Sequence, residues 1–564
     1  MPNSLPTILV ISALAATLPL GALSGRPAEA AIPDSSGLYA DYLAARFAQA
    51  QDDPTMAAEY YLRALERNPT QPDLLRHAFM ASALSGRVEA AGLARLLPGD
   101  TLAQLWLVGA AAKAGDWGSV ERRANALAVD KLSDDPLAGI LSPLLLAWAE
   151  QAQGRTDAAL AVLRPLAEDS RFRALFALHE GLIADLAGQE ARATAAMAKA
   201  RDVDGAPGLR LAQILASFDA RHGRQAAGLQ ELAQAGAAAP EIGLVLPALS
   251  RAMALPPVGD ARDGIAEAFL AAAGSLQTQN DDRRAAVLLD IVLALRPDLT
   301  AGRLLGAEID EAAGRKNAAR LTLEAIAPTD PLAPLARLRD AGLMAETGDT
   351  DAALAAFDAL ARDCPQSALP LIREAETLRA KGQFDEAVAA YDQAMARETK
   401  PNWTLFYERG VARDQAHDRA GGEADMQKAL DLSPDQPLVL NYLGYSWAEK
   451  GEHLGEARRM IEAAVQAKPN DGAIVDSLGY VMLRQGDIAG AVRTLEHATE
   501  LMPDDATVNG HLGDAYAAAG RRLEAGYEWR RALMLNPEPE EAEQLKAKLV
   551  PPPRQSALAA PAAR

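Results

Sequence analysis

The sequence predicts an all-α fold, a right-handed superhelical solenoid of roughly 13 or 14 antiparallel helix pairs. Glycines recur at spacings of 34 or 35 residues, prolines recur at the same period, and the apolar residues between them follow a helical spacing. A fixed period in this range indicates stacked supersecondary units, each of which buries its apolar face against its neighbours.

The glycines mark the turn within each predicted pair, because glycine adopts the left-handed conformation that ends a helix at low cost. They are Gly154, Gly188, Gly223, Gly314, Gly348, Gly382, Gly451, Gly486 and Gly520. Proline marks the end of the second helix, since it has no amide hydrogen to donate and a fixed φ. These prolines are Pro434, Pro469, Pro503 and Pro537.

Between these marks the apolar residues are spaced as on one face of a helix. Val475, Leu478 and Met482 lie at positions i, i+3 and i+7 before the turn at Gly486. Ala491, Leu495 and Ala498 show the same spacing after it. Each unit is therefore predicted to be two short helices joined by a polar turn.

The residues of the last units carry a resemblance to a known family. One unit contains Asn509-x2-Leu512-Gly513-x2-Tyr516, followed by Ala525-x3-Trp529, Ala532 and Pro537. This resembles the tetratricopeptide repeat, whose pattern is W-x2-L-G-x2-Y, then A-x3-F, then P. The two preceding units match at Leu443-Gly444 and at Leu478-Gly479, where a small residue lets the paired helices approach closely.

The pattern weakens toward the N-terminus, which sets the predicted organisation. We expect a signal peptide over residues 1–30, degenerate repeats over 31–400, and a break near 240–260, where prolines cluster. Well-formed repeats follow over 401–537, a capping helix over 538–550 and a disordered tail over 551–564. In the capping helix acidic residues come first and lysines late, as the helix dipole favours.

The N-terminal segment predicts export. Thr7 to Leu18 is an apolar run, and Ala28-Glu29-Ala30 has the small-residue pattern of a signal-peptide cleavage site. The expected location is therefore periplasmic, with an uncleaved segment anchored to the inner membrane as the alternative. Because no cysteine precedes Cys364, we expect no direct lipid anchor.

Composition excludes several functional classes. The 76 acidic and 56 basic residues give a net charge of −20, which argues against nucleic acid and anionic lipid surfaces as partners. The single cysteine excludes an internal disulfide and a cysteine zinc site. Phosphate-binding, metalloprotease and hydrolase motifs are lacking, and the seven histidines are scattered and expected to be exposed or to cap helices. We therefore predict no enzyme activity, no catalytic residue, no metal and no cofactor.

Surface recognition is the remaining function. The family resemblance implies that the first helices line a concave groove that binds partner proteins or peptides. Tyr445 and Tyr480 occupy equivalent places in adjacent repeats, with Arg484 close by, and tyrosine and arginine dominate binding hot spots. The candidate groove residues are Tyr407, Asn441, Tyr445, Asp476, Tyr480, Arg484 and Asp514.

Residues 401–540 also resemble long bacterial envelope tetratricopeptide proteins. Among these are adaptors that deliver substrates to a carboxyl-terminal processing protease, which acts on peptidoglycan hydrolases. Those adaptors usually carry a lipidation cysteine, which is missing here. The resemblance implies a non-enzymatic adaptor with other envelope proteins or peptides as partners. The alternative is a structural scaffold subunit of a polysaccharide-export or envelope-assembly complex. The sequence does not set the oligomeric state.

Overall fold

The computed structural model describes residues 35–129, 135–202 and 208–549, and all regular structure within these ranges is α-helical. The all-α prediction is therefore confirmed. The predicted signal peptide over 1–30 and the predicted tail over 551–564 lie outside the described residues.

The helices divide between two compact units. The first unit contains residues 35–172 and 260–297. Its helices are α1 (Ser35–Ala50), α2 (Pro54–Arg67), α3 (Pro72–Leu84), α4 (Glu89–Arg95), α5 (Thr101–Ala114), α6 (Trp117–Leu127), α7 (Pro136–Ala152), α8 (Thr156–Glu168), α14 (Ala261–Thr278) and α15 (Asp282–Leu295).

The second unit contains residues 173–259 and 298–549. Its first helices in chain order are α9 (Arg173–Leu186), α10 (Glu190–Ala200), α11 (Leu209–Arg221), α12 (Gln225–Ala238), α13 (Pro240–Ala252), α16 (Thr300–Ala312), α17 (Lys316–Glu324), α18 (Ala333–Glu346), α19 (Thr350–Asp363), α20 (Leu369–Ala380) and α21 (Phe384–Arg397). The remaining helices are α22 (Trp403–Gln415), α23 (Arg419–Leu432), α24 (Pro437–Lys450), α25 (Leu454–Ala467), α26 (Gly472–Arg484), α27 (Ile488–Leu501), α28 (Ala506–Ala518), α29 (Arg522–Met534) and α30 (Pro539–Leu549).

Successive helices pack against each other as pairs. Within the described ranges there are fourteen such pairs, from α1 with α2 to α28 with α29, and α13 and α30 stand outside the pairing. This agrees with the predicted 13 or 14 units. Among the later pairs, small buried apolar clusters lie between the two helices of one pair and an adjacent helix of a neighbouring pair, whereas residues of the second unit between positions 212 and 343 share one larger cluster.

The turns are built as predicted at every glycine that the periodicity marked. These nine glycines have φ between 71° and 90°, a conformation in which a side chain would be strained. The same conformation also occurs without glycine at Asp52, Asn280 and His417, with φ of 51°, 60° and 64°. The sequence analysis followed glycine alone and missed these turns, although Asn, Asp and His tolerate this conformation better than other residues.

Glycine has a second role inside the first helices, where it removes a side chain at the contact with the second helix. A Cβ at Gly479 would lie 2.4 Å from Cγ of Leu495, and one at Gly513 would lie 2.5 Å from Cδ1 of Trp529. At Gly444 the nearest atom, Cγ1 of Ile461, would be 2.8 Å away. The three pairs therefore pack at a distance that excludes any larger residue.

The predicted break near 240–260 falls on α13, the helix that has no antiparallel partner. Pro240 is its first residue, and Leu244 is buried with Leu338 and Phe357 of the second unit. At Asp260 the chain passes into the first unit, where α14 packs against α7 and α15 packs against α5. These contacts join segments that are more than a hundred residues apart in the chain.

The contact of α14 with α7 depends on one glycine. Trp148 of α7 is fully buried, and a Cβ at Gly264 of α14 would lie 2.1 Å from its Cε2 atom. The indole ring therefore occupies the space that a side chain at position 264 would need.

The last helix, α30, has Glu540 and Glu541 in its first turn and Lys546 and Lys548 in its last turn. Its Leu545 side chain is buried. None of the helices in the described ranges has the length and apolar character needed to cross a lipid bilayer.

The Gly264→Ala substitution is expected to lower the free energy of unfolding by about 1–3 kcal/mol, because the added methyl group overpacks the indole of Trp148. The measurement is the midpoint of thermal unfolding followed by tryptophan fluorescence. The matched control is Gly139→Ala on α7, where no atom lies within 4 Å of the added Cβ. There the lower entropy of the unfolded chain should raise stability by about 0.5–1 kcal/mol. Equal effects at the two positions would contradict this packing.

Candidate partner-binding site

The seven candidate groove residues lie on the first helices of four successive pairs. Tyr407 is on α22, Asn441 and Tyr445 are on α24, Asp476, Tyr480 and Arg484 are on α26, and Asp514 is on α28. The structure brings four of them together: Tyr445, Asp476, Tyr480 and Arg484. We describe these four with His511 of α28 as the aromatic cluster.

The centre of the aromatic cluster is a column of three rings from three successive pairs. The ring centroids of Tyr445 and Tyr480 are 5.2 Å apart, with an angle of 36° between the planes. The ring of Tyr480 is in turn 4.7 Å from that of His511, at 33°. Aromatic pairs at such distances stabilise each other beyond the area that they bury. The two tyrosines are half-buried, so part of each ring remains accessible to a partner.

Arg484 forms the exposed border of the aromatic cluster. Its Nη1 donates hydrogen bonds to the hydroxyl oxygen of Tyr480 at 2.9 Å and to the backbone carbonyl of Glu449 at 3.0 Å. The guanidinium carbon lies 5.7 Å from the centroid of the Tyr480 ring. These contacts fix the guanidinium beside the rings, where its remaining N–H groups can donate to a partner.

Asp476 is buried beneath the cluster, and its prediction as an outward residue is wrong. The residue is only 6% exposed, because the rings of the aromatic cluster and the next first helix cover it. Its two carboxylate oxygens lie 2.9 Å and 3.1 Å from Nδ1 of His511. Asp476 therefore orients the imidazole of His511 and does not itself contact a partner.

Burial and the nearby charges shift the pKa of His511 in opposite directions. Burial lowers the pKa of the imidazole, whereas the carboxylates of Asp476, Asp514 and Glu541 raise it, and the net result is a pKa above the ordinary 6.5. For Tyr445, burial together with the nearby Glu449 carboxylate raises the pKa of the phenol far above its usual range. The cluster therefore combines a Tyr445 phenol that keeps its proton with a histidine that holds its proton more tightly than usual.

His511 was not among the predicted site residues, because the histidines were expected to be exposed or to cap helices. The signal that would have found it is the repeat itself, since His511 follows Asp476 by 35 residues. At one repeat length, residues on the same face of successive first helices are neighbours, so an acid and a histidine at this spacing form a candidate pair.

Tyr407 and Asn441 lie outside the aromatic cluster. Tyr407 packs edge to face with Tyr442, at 6.1 Å and 86°, and the hydroxyl of Tyr442 donates to Asp414 at 2.9 Å. Asn441 precedes Tyr445 by one helical turn and so shares its face. Its Oδ1 is buried and accepts no hydrogen bond from any residue that the structure describes.

Asp514 is occupied by contacts within the chain. Its carboxylate accepts hydrogen bonds from Nε1 of Trp529 at 3.0 Å and from Nζ of Lys548 at 2.8 Å. One turn earlier, a Cβ at Gly510 would meet Leu545 of α30 at 3.5 Å. Helix α30 therefore packs beside Asp514, and these internal contacts occupy both of its carboxylate oxygens.

A second concave region of the same unit is a cleft of about 800 Å³ lined by residues of α13, α16, α18, α19 and α20. Its charged side chains pair with one another. Glu241 of α13 lies 3.8 Å from Arg339 and 3.9 Å from Arg373, and Arg373 also pairs with Glu376 at 2.9 Å. Because these groups satisfy each other, we consider the aromatic cluster the better candidate site.

The pair of His511 and Asp476 predicts a pH-dependent contribution to stability. The folded-state pKa of His511 is raised. The contribution of the His511–Asp476 pair to the free energy of unfolding is therefore fully present below the ordinary pKa of 6.5, and it is lost as the pH rises through the raised value. A charge-assisted hydrogen bond contributes about 1.5–3 kcal/mol. His511→Gln should therefore lower the free energy of unfolding more below pH 6.5 than in the alkaline range, as measured by urea denaturation at several pH values.

The control for this prediction is Asp476→Asn, which removes the carboxylate and keeps the ring buried. Burial then becomes the dominant effect, so the pKa of His511 should fall, which an NMR titration of the imidazole would detect. A pKa of His511 that is the same in both proteins would contradict the assignment of Asp476 as its positioning group.

Comparison with known proteins gives these helix pairs a family. Residues 372–437 and 477–538 match the model of the tetratricopeptide repeat. A TPR repeat-containing protein of Pseudomonas aeruginosa is 38% identical over 110 residues, which are 20% of this chain and 18% of that protein. Bacteriophage adsorption protein A of Escherichia coli is 28% identical over 105 residues, 19% of this chain and 10% of that protein. The matched segments thus span less than a fifth of either relative.

Among solved structures, the APC/C hetero-tetramer Cut9–Hcn1 is similar, with 17% identity, a TM-score of 0.38, and coverage of 91% of this chain and 96% of that chain. Proteins with tetratricopeptide repeats are generally non-enzymatic scaffolds that bind other proteins or peptides. Residues 372–437 and 477–538 are therefore tetratricopeptide repeats, and the described residues as a whole form fourteen helix pairs of the same antiparallel kind.

Proposed function

We propose that this chain is an adaptor of the bacterial cell envelope that holds a segment of another protein against the aromatic cluster. The observation that carries the proposal is the column of Tyr445, Tyr480 and His511, with Arg484 at its border. Half-buried tyrosines and a fixed arginine are the residue types that dominate protein-binding hot spots. Their rigidity also lowers the entropy lost when a partner binds.

The chemistry of the cluster favours an extended partner segment. The three rings come from three successive first helices, so they form a row across the helices instead of a single deep pocket. A row of ring edges with hydrogen-bonding groups at its border suits apolar side chains on an extended peptide. The net charge of −20 repels strongly acidic proteins at long range, which favours neutral or basic partner segments.

The envelope location in this proposal rests on the sequence of residues 1–30, which lie outside the described residues. The apolar run and the Ala28-Glu29-Ala30 pattern support export to the periplasm. There, an adaptor of this type would deliver bound substrates to a periplasmic protease. A scaffold subunit of a polysaccharide-export or envelope-assembly complex would use the same surface for a permanent contact.

Tyr445→Ala combined with Tyr480→Ala tests the proposal. Removal of two stacked rings should weaken partner binding by tenfold or more, on the order of 1.4 kcal/mol or above. The measurement is affinity capture from envelope extract with residues 31–564 as bait, quantified by mass spectrometry for each captured protein.

The matched control is Tyr39→Ala, which removes an exposed tyrosine of α1 in the first unit. Proteins lost by the double variant and retained by the control are partners of the cluster. Substoichiometric capture of a protease or a hydrolase would support the adaptor, and a fixed set of membrane subunits would support the scaffold. Identical captured sets for wild type and double variant, with unchanged helicity, would refute the assignment of the site.

A further inference from the structure

A second surface of the chain has the properties of a docking site. Helix α29 exposes Leu523, Tyr527 and Met534, whose exposed fractions are 77%, 65% and 75%. Together with Arg530 they occupy positions i, i+4, i+7 and i+11 of the helix. Because each residue advances by about 100° around the helix axis, the four side chains fall within a sector only about 60° wide. We call these four residues the α29 stripe. The buried residues Ala525 and Ala532 lie on the opposite side of the helix, so the stripe faces away from the core.

The other repeats show that this stripe is not a packing requirement. The equivalent positions of the two preceding second helices hold small, polar or charged residues. On α27 these are Ala489, Arg493, Glu496 and Glu500, and on α25 they are Gly455, Arg459, Glu462 and Gln466. The same helix pair therefore forms without apolar side chains at these positions, and α29 departs from the pattern at three of the four.

Uncompensated positive charge accompanies the stripe. Among the residues that the structure describes, neither Arg522 nor Arg530 forms an ion pair, and the guanidinium of Arg530 lies 5.1 Å from the centroid of the Tyr527 ring. Arg531 is held by the backbone carbonyl of Pro503 at 2.9 Å. Exposed arginines beside apolar side chains, in a chain of net charge −20, mark a local site for an acidic ligand.

From this geometry we infer that the α29 stripe docks an acidic amphipathic helix of a partner protein. Two helices pack when the apolar ridge of one fits along the other, and three turns of a partner match the stripe, which is about 16 Å long. Carboxylates flanking the apolar face of the partner would pair with Arg522 and Arg530. This surface lies on a second helix, whereas the aromatic cluster lies on first helices, so the two sites are separate.

Two other occupants fit the charges less well. A symmetric dimer through the α29 stripes would bring the unpaired arginines of both copies into one interface, which adds like charges. An anionic membrane extends far beyond the screening length of about 10 Å and would be repelled by the acidic chain. A single acidic helix, in contrast, experiences mainly the charges within that distance.

The test is fluorescence anisotropy with a synthetic helical peptide that has leucines at i, i+4, i+7 and i+11 and glutamates beside them. A second peptide has lysine in place of every glutamate. The full chain should bind the glutamate peptide at least about tenfold more tightly than the lysine peptide. Tyr527→Ala combined with Met534→Ala should weaken binding of the glutamate peptide by about tenfold or more.

Two control variants test whether the peptide binds specifically at the α29 stripe. Arg493→Ala changes the position of α27 that corresponds to Tyr527 and should leave binding unchanged. The Tyr445→Ala and Tyr480→Ala double variant should also bind the glutamate peptide normally, so that failure of the groove proposal and failure of this one can be distinguished.

Three outcomes would overturn the inference. The first is equal binding of the glutamate peptide by wild type and by the α29 variant. The second is flotation of the wild-type chain, but not of the variant, with phosphatidylglycerol vesicles, which would assign the stripe to a membrane. The third is a dimer in analytical ultracentrifugation that the variant loses, which would assign it to a second copy.

Discussion

The close approach of the two helices within each pair is the constraint on which the stack depends. At Gly444, Gly479 and Gly513 a Cβ would lie within 2.8 Å of the second helix, so only glycine permits the contact. A helix held this closely cannot rotate about its axis without a clash. The contact therefore decides which residues of the first helix face the core and which face the groove.

Because that rotation is fixed in these three pairs, the groove faces of their first helices are in register. A residue then meets the one at, or next to, the equivalent position of the following repeat, as Tyr445 meets Tyr480 and Asp476 meets His511. No single pair could form this cluster, since its five members come from three pairs. The candidate site is thus a property of the stack.

The repeat fold could be predicted from the sequence because its rules are local. Turn glycines and helix-ending prolines act within a few residues, and they give the correct class and number of pairs. The turns at Asn280 and His417 carry no glycine, yet they keep the period, 34 residues before Gly314 and 35 residues after Gly382, so the spacing could have located them too. One feature could not be predicted in this way. The packing of α14 against α7 joins Gly264 to Trp148, which lie far apart in the chain, and no local pattern encodes such a contact. For the site, residue type predicted Tyr445 and Tyr480, but the burial of Asp476 depends on the neighbouring repeat.

Comparison of equivalent positions in the repeats also distinguishes residues needed for packing from residues that packing does not explain. Every helix pair faces the same packing demand, so residues that recur at equivalent positions need no further explanation. A buried acid paired with a histidine is costly to build and occurs here between α26 and α28. An exposed apolar residue such as Leu523 adds nothing to the core, since most of its surface contacts water. The Asp476–His511 pair stabilises the fold at low pH, whereas the exposed Leu523 does not improve it. Selection for contacts with other molecules therefore explains the exposed apolar residue better than selection for stability.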